Sequence, residues 1–326
     1  MNRFHLRHTT EFHYDGPVSE SYNEVRLRPI QDERQSCISF RLMTTPTSRV
    51  TAHRDGLGNW VHQFSILPEH RWLKVETEAV VLTHEAPSTK PDQTTLAAFD
   101  LDREEISEEY FDFVAPSGYV PHLPGLGEIK QAAEKMSLGG VAGFVNAASN
   151  LIHEEFRYVK GATHVHSSIE DPLTLRAGVC QDFAHLLLGV VRMRGVPARY
   201  VSGYLVPGRT ALPGERQEQE EVIGGQATHA WAEVYLPASG WMAFDPTLGG
   251  PVGLRHVRVA YGRDYGDVAP VRGVYKGHAG QRLSVDVRVR PALDDEGREQ
   301  LNELKAAHPE LTDVIERPQQ PAQQQQ

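Results

Sequence analysis

From Phe4 to Ala79, apolar residues recur at alternate positions between turn signals. Phe4, Leu6, Phe12 and Tyr14 share one parity, while Arg7, Glu11 and His13 take the other. The same period runs through Val25 and Leu27, then Ile38, Phe40 and Leu42, then Phe64 and Ile66, then Leu73, Val75 and Ala79, with Asp55-Gly56-Leu57-Gly58-Asn59 as a turn. A period of two puts successive side chains on opposite faces of a strand, so residues 1–85 are expected to form a small β-sandwich. Residues 86–127, rich in Pro, Ser, Thr and acidic side chains, read as a connector. The period then becomes helical, with Val145, Leu151, Ile152 and Phe156 as the buried side of a helix that ends near Tyr158. A second helix opens at Gly178-Val179-Cys180, carries Phe183, Leu186, Leu187, Val190 and Met193 as its apolar stripe, and is stopped by Gly195 and Pro197. Strands resume through Val206. Thr228–Leu236 and Trp241–Phe244 flank the turn Pro237-Ala238-Ser239-Gly240, and Val257, Val259 and Tyr261, then Leu283, Val285, Val287 and Val289, supply two more strands. The expected class is α+β: sandwich at 1–85, connector at 86–127, helices on an antiparallel sheet at 128–290, and an extension at 291–326 that closes in a Gln/Pro tail too polar to order. Gly262–Gln281 is too long for an ordinary hairpin turn and is either a loop over a site or a structural insert.

Composition narrows the function. The 326 residues carry 33 Lys+Arg against 43 Asp+Glu, a formal charge of −10. No basic block interrupts this acidic balance, so nucleic acid is not the expected partner. No apolar run approaches the ~18 residues of a spanning helix, so membrane embedding is not expected either. The opening Met1–His8 contains no apolar core of a secretory signal, and a cytoplasmic location is expected. Two cysteines, Cys37 and Cys180, make no disulfide scaffold and no closed zinc site. Among 16 histidines the densest group is His153, His164 and His166, whose spacing suggests no metal geometry.

Cys180 falls at a helix start, where backbone N–H groups and the helix dipole favour negative charge, and hence a thiolate. A thiol nucleophile also needs a base held by a third group. His229 begins one strand of the Pro237–Gly240 hairpin and Asp245 ends the other. With a three-residue loop, opposed residue numbers sum to 476, which sets Asp245 opposite Trp231 and diagonal to His229 on the same face, within side-chain reach. Glu233 shares that face and is an alternative orienter. His185 lies about 140° around the helix from Cys180 and is expected to pack rather than act as base. Asp182 suits the first turn, where a carboxylate complements the dipole. Cys37 has no partner in the pattern. Trp231 reads as a core aromatic or a shield against water, and Tyr204 and Gly203 as core-strand residues that could line a cleft.

The blocks Arg176–His185, Gly195–Tyr204 and Thr228–Trp231 through Trp241–Thr247 resemble the bacterial transglutaminase-like proteins of the papain-like cysteine-enzyme group, in that family's Cys…His…Asp order. His8–Tyr14 and Asp55–Asn59 are similar to the β-rich N-terminal domain that accompanies this core, and Gly262–Val268 extends the likeness over roughly the first 290 residues. The resemblance implies a transglutaminase-like core, a Cys180 thiolate attacking an amide or ester carbonyl, His229 as base and then acid, and Asp245 orienting it. Water as acceptor makes a peptidase or amidase; an amine makes a transglutaminase. A peptide or protein is the implied substrate, with no cofactor, no metal and no calcium control. Of the two oxyanion donors such chemistry needs, the Cys180 N–H is one. Animal transglutaminases use an upstream Trp as the other, but no Trp lies between Trp72 and Trp231, which leaves Tyr158, Thr163 and His164 as candidates. A rival reading keeps the fold as a peptide-binding scaffold without catalysis.

Overall fold

A computed structural model describes residues 1–85, 106, 108–137, 140–206, 228–237 and 239–292. The N-terminal strands are β1 (Asn2–Val25), β2 (Gln35–Thr45), β3 (Thr51–Arg54), β4 (Trp60–Ile66) and β5 (His70–Thr83). Then follow the helices α1 (Phe111–Val114), α2 (Leu126–Met136) and α3 (Gly140–Glu155), the short strand β6 (Arg157–Tyr158), α4 (Glu170–Leu175), β7 (Ala177–Gly178) and α5 (Cys180–Met193). The rest comprises β8 (Ala198–Leu205), β9 (Thr228–Leu236), β10 (Gly240–Asp245), β11 (Gly250–Pro251), β12 (His256–Gly262), α6 (Tyr265–Val268), β13 (Val271–Lys276) and β14 (Gln281–Pro291). Part of the expected connector, 86–105 and 107, and the Gln/Pro tail lie outside the described residues. Among the described residues no helix is long and apolar enough to cross a membrane.

The N-terminal sheet curls around β1, whose 24 residues serve two sets of partners. Its first half pairs with β5, from Asn2↔Thr83 to His13↔Trp72, and with β14, from Phe4↔Pro291 to Tyr14↔Gln281. After a register break between His13 and Val18, its second half pairs with β4 and β13. Leu73 and Val75 of β5 then meet Val25 of β1 and Phe64 and Ile66 of β4 in one apolar core. The strand read at Leu283–Val289 and the one inside Gly262–Gln281 therefore complete the N-terminal sheet, although the sequence grouped them with residues 128–290. Ile38 is also corrected. The β2–β5 register slips between Cys37↔Val81 and Ser39↔Val80, so Ile38 is the bulged residue and is 56% exposed rather than inward.

In the second sheet, ordered β11-β10-β9-β8-β12, the alternation of β9 sends Ala230, Ala232 and Val234 toward the helices. Helix α5 is buried along Phe183, Ala184, Leu186, Leu187, Leu188, Val190 and Val191, because this sheet covers one side and α2 and α3 the other. Apart from Ala184, each such side chain contributes about 1.5–3 kcal/mol by leaving water. The helix ends in paired C-terminal bonds: Gly195, at φ +81°, donates to Arg192 O at 2.8 Å, and Val196 donates to Val191 O at 3.3 Å. A further apolar cluster joins Tyr204, Val206, Val257 and Val259 to Phe4, Leu6, Ala79, Val81 and Val287 of the N-terminal sheet. Polar latches reinforce it. The Gln35 amide donates to Ile30 O and Arg258 O, both at 2.7 Å, and accepts from Arg258 N at 2.8 Å. Asn59, at the end of the predicted turn, likewise bonds both the N–H and the C=O of Tyr261.

Candidate active site

Cys180 is the first residue of α5 and is half-buried, so its sulfur is not sealed in the core. Asp182 folds back over the helix start, where its Oδ2 accepts the Val179 N–H at 2.7 Å and the Thr163 hydroxyl at 2.5 Å. This is the first-turn role expected of it. Gly178 permits that approach, since a Cβ there would stand 2.6 Å from Asp182 Oδ2. Burial raises the Asp182 pKa, with the two hydrogen bonds opposing. Strand β6 lies parallel to β7 with Tyr158 opposite Gly178, which brings the Tyr158 side chain beside the nucleophile position. Burial, then negative charge at Cys180 and Asp182, raises the Tyr158 phenol and keeps it protonated. The buried Tyr200 phenol on β8 is raised by burial and by charge at Cys180 in the same way.

His229 opens β9 one residue in and is buried. The hairpin register runs from Gly240↔Leu236 to Phe244↔Ala232, every pair summing to the expected 476. Asp245, next in line, therefore sits diagonal to His229, and His229 Nε2 meets Asp245 Oδ2 at 2.7 Å. Burial disfavours the imidazolium. The hydrogen bond to Asp245, with the negative charges at Asp245 and Cys180, outweighs it and raises the His229 pKa to about 10. With Nε2 committed to Asp245, Nδ1 is the ring nitrogen left free: it is buried and has no hydrogen-bond partner.

Asp245 is fully buried and accepts four hydrogen bonds. Oδ1 takes the N–H groups of Thr247 at 2.9 Å and Leu248 at 3.3 Å; Oδ2 takes His229 and a second imidazole, His256 Nε2, at 3.0 Å. Burial would raise this carboxyl, but the two imidazoles prevail and hold it far below the usual carboxylate range. The loop after Asp245 is pinned in turn, because His153 Nδ1 donates to Thr247 O at 3.0 Å. Gly249, at φ +65°, passes so close to the His153 ring that a Cβ would stand 2.5 Å from it.

The other sequence candidates fall elsewhere. Glu233 is buried between Arg199, at 2.6 Å, and Arg258, at 3.2 Å, so both its carboxylate oxygens are engaged away from His229. His185 accepts the Tyr265 N–H at 3.2 Å and stacks on Tyr119, and burial lowers its pKa to about 3. Thr163 spends its hydroxyl on Asp182. His164 is exposed, with its N–H on Ser167 Oγ. Tyr204 points into the cluster with the N-terminal sheet, bonding His8 at 2.8 Å, and so lines no cleft. Trp231 is fully buried, with its ring across Gly203 and 5.2 Å from that of His256. His153 and His166 engage separate partners, Thr247 and Tyr119. Gly262–Gln281 proves to be structural: Asp264 caps α6 and also accepts the Tyr119 N–H.

His256 was missed in the sequence, where it reads as the lead-in to the Val257/Val259 alternation. His229, Asp245 and His256 also offer ligand atoms within 4.8 Å of one another. A zinc ion about 2.0–2.1 Å from each would hold those atoms roughly 3.3 Å apart or more. The direct contacts of 2.7 and 3.0 Å leave no such gap, so hydrogen bonding describes this cluster.

A cysteine at the head of a buried helix, packed on an antiparallel sheet that presents histidine and aspartate, is the papain-like architecture. Residues 4–82 match the bacterial transglutaminase-like N-terminal region and residues 130–246 the transglutaminase-like superfamily. The chain is 34% identical over 289 residues to the uncharacterized protein ML0607 of Mycobacterium leprae, covering 89% of this chain and 99% of that one. A local match of 104 residues, 33% identical, links 29% of the chain to 14% of a protein-glutamine gamma-glutamyltransferase of Pseudomonas aeruginosa. A solved Cytophaga hutchinsonii protein described as a candidate cysteine protease shares the fold, with a TM-score of 0.66 at 22% identity over 90% of this chain and 92% of that one. The chain belongs to the bacterial transglutaminase-like family.

Proposed function

We propose that the protein is a cysteine-dependent acyl-transfer enzyme that hydrolyses peptide or amide bonds through Cys180, His229 and Asp245. The observation that carries this reading is the buried His229, bonded to a fixed carboxylate through one nitrogen, with its other nitrogen unpartnered and Cys180 near enough for its charge to raise the imidazole. In the first step the thiol proton passes to His229, sulfur bonds the carbonyl carbon, and the tetrahedral oxyanion is met by the Cys180 N–H, which has no acceptor within its own helix. Tyr158 is the proposed second donor, because β6 sets it beside β7 and its hydroxyl keeps its proton. Collapse of the intermediate breaks the C–N bond, His229 returns its proton to the leaving amine, and a thioester remains. Water, deprotonated by His229, then attacks the thioester and releases the acid and the thiol.

The local likeness to a glutamyltransferase favours one second reading, in which an amine replaces water as acceptor. Casein and a fluorescent primary amine separate the two. Hydrolysis releases new amino termini or ammonia without incorporating label, whereas transfer incorporates it, and Cys180→Ala abolishes either. If Cys180 is alkylated by iodoacetamide no faster than Cys37 and the alanine variant changes neither readout, the enzyme reading fails and the scaffold reading stands.

A further inference from the structure

On the reading that Asp245 orients His229, we propose that His256 is a positioning residue that locks the Asp245 carboxylate. Two main-chain N–H groups hold Oδ1, and a carboxylate pinned at one oxygen can still pivot about it. The second oxygen is the one that His229 uses, and besides His229 its hydrogen-bonding partner is the imidazole of His256 at 3.0 Å. His256 is itself fixed. Its Nδ1 accepts the Gly253 N–H at 3.2 Å, which puts the ring proton on Nε2, and its ring meets Trp231 edge to face at 78°. Asp245 is thus closed from both sides: main chain on Oδ1, and two imidazoles that reach Oδ2 from different strands. The logic is that of partners which orient a functional imidazole, applied one residue further out.

A second observation makes this testable. His256 forms part of the wall of a cavity of about 190 Å³ between the N-terminal sheet and the end of the second sheet. The charged and titratable groups around it are Arg34, His84, Glu85, Glu233 and Arg258. Removing the His256 ring therefore opens a hole that a small molecule can enter from this cavity, whose wall does not include Cys180.

The experiment measures iodoacetamide alkylation of Cys180 from pH 5 to 10, and turnover where a substrate is in hand, in the full chain. His256→Leu, which keeps volume but loses the donor, is expected to slow alkylation at neutral pH by roughly 10–100-fold, with kcat falling and KM unchanged. His256→Gln, whose amide can donate from the same place, stays within about threefold of the parent. Imidazole added to His256→Ala restores the rate, and has no effect on His256→Ala combined with Asp245→Ala. A folded His256→Leu variant at the parent rate overturns the proposal, as does equal loss in all three single variants with no imidazole rescue. The unmutated protein gives an independent check: histidine ¹⁵N resonances must show His256 protonated on Nε2, and an Nδ1-protonated tautomer overturns the proposal without any variant. If Cys180 of the parent reacts no faster than Cys37, it is the acyl-transfer reading that fails, a result distinct from any of these.

Discussion

Replacing Asp245 with asparagine keeps the shape of the side chain and removes its charge. The asparagine amide has one acceptor where the carboxylate had two. In one orientation its NH₂ confronts the N–H groups of Thr247 and Leu248; in the other it confronts the N–H groups of His229 and His256. Either way two donors face a donor in a fully buried site, and each unsatisfied group costs about 1–3 kcal/mol. The His229 charge loses its partner at the same time, and breaking a buried pair from one side costs about 3–5 kcal/mol. At 1.4 kcal/mol per decade, the charged imidazole loses roughly 10²–10⁴ in population, and the His229 pKa falls from about 10 toward its ordinary value, with Cys180 alone left to oppose burial. The pH dependence has a definite sign. A histidine whose folded pKa is raised stabilises the fold fully below 6.5 and loses that contribution as pH rises through about 10. Asp245, whose folded pKa is lowered, contributes above the ordinary carboxylate range and loses its share below it. The stability gap between parent and Asp245→Asn should be widest between about pH 4 and 6.5 and narrow toward pH 10. Urea unfolding at five pH values and the alkylation rate of Cys180 at the same values measure both effects. A gap that widens with alkali, or an unchanged alkylation rate at pH 7, refutes the coupling of carboxylate, imidazole and sulfur.

Tyr158→Phe should lower turnover about 10²–10³-fold while leaving Cys180 alkylation nearly unchanged, since an oxyanion donor acts after the sulfur has attacked; equal losses in both assays would count against it. Gly203→Ala should destabilise the fold by several kcal/mol in chemical denaturation, because its Cβ would stand 2.2 Å from Val257 O and 2.6 Å from the Trp231 ring. His8 is buried against Tyr204, and burial lowers its pKa to about 4. Between pH 6.5 and 4 the unfolded chain therefore takes up a proton that the fold refuses, so stability is lost as pH falls through that window. His8→Gln should flatten the acid limb of the stability profile by up to about 3 kcal/mol, and an unchanged limb would rule His8 out as its source.

Much of this was legible because it rests on local rules. The α5 boundaries follow from a glycine and a proline past its end. The contact between His229 and Asp245 follows from one loop length, since a hairpin register carries over to every later pair. What escaped the sequence was set by distant partners. Period two marks Leu283–Val289 as a strand but says nothing about which strand it joins, and the answer was β1. Ile38 misled because one bulged residue reverses the parity on which the reading depends. His256 lies 11 residues from Asp245 with two turns and a short strand between, a path with no fixed register, so no spacing rule could link them. Tyr158 is proposed over Thr163 and His164 only because β6 lies beside β7, a pairing that no local pattern announces.

The pairing of β1 with β14 sets a timetable for biosynthesis. Phe4 is registered with Pro291, and Ala292 N–H donates to Arg3 O at 2.8 Å, so the start of β1 waits for a strand made about 290 residues later. At 5–20 residues per second that delay is about 15–60 s. Throughout it one long edge of β1 has no neighbour, so newly made chains are most exposed to pairing with one another there, and a shortened product ending near residue 246 would keep that vulnerability permanently.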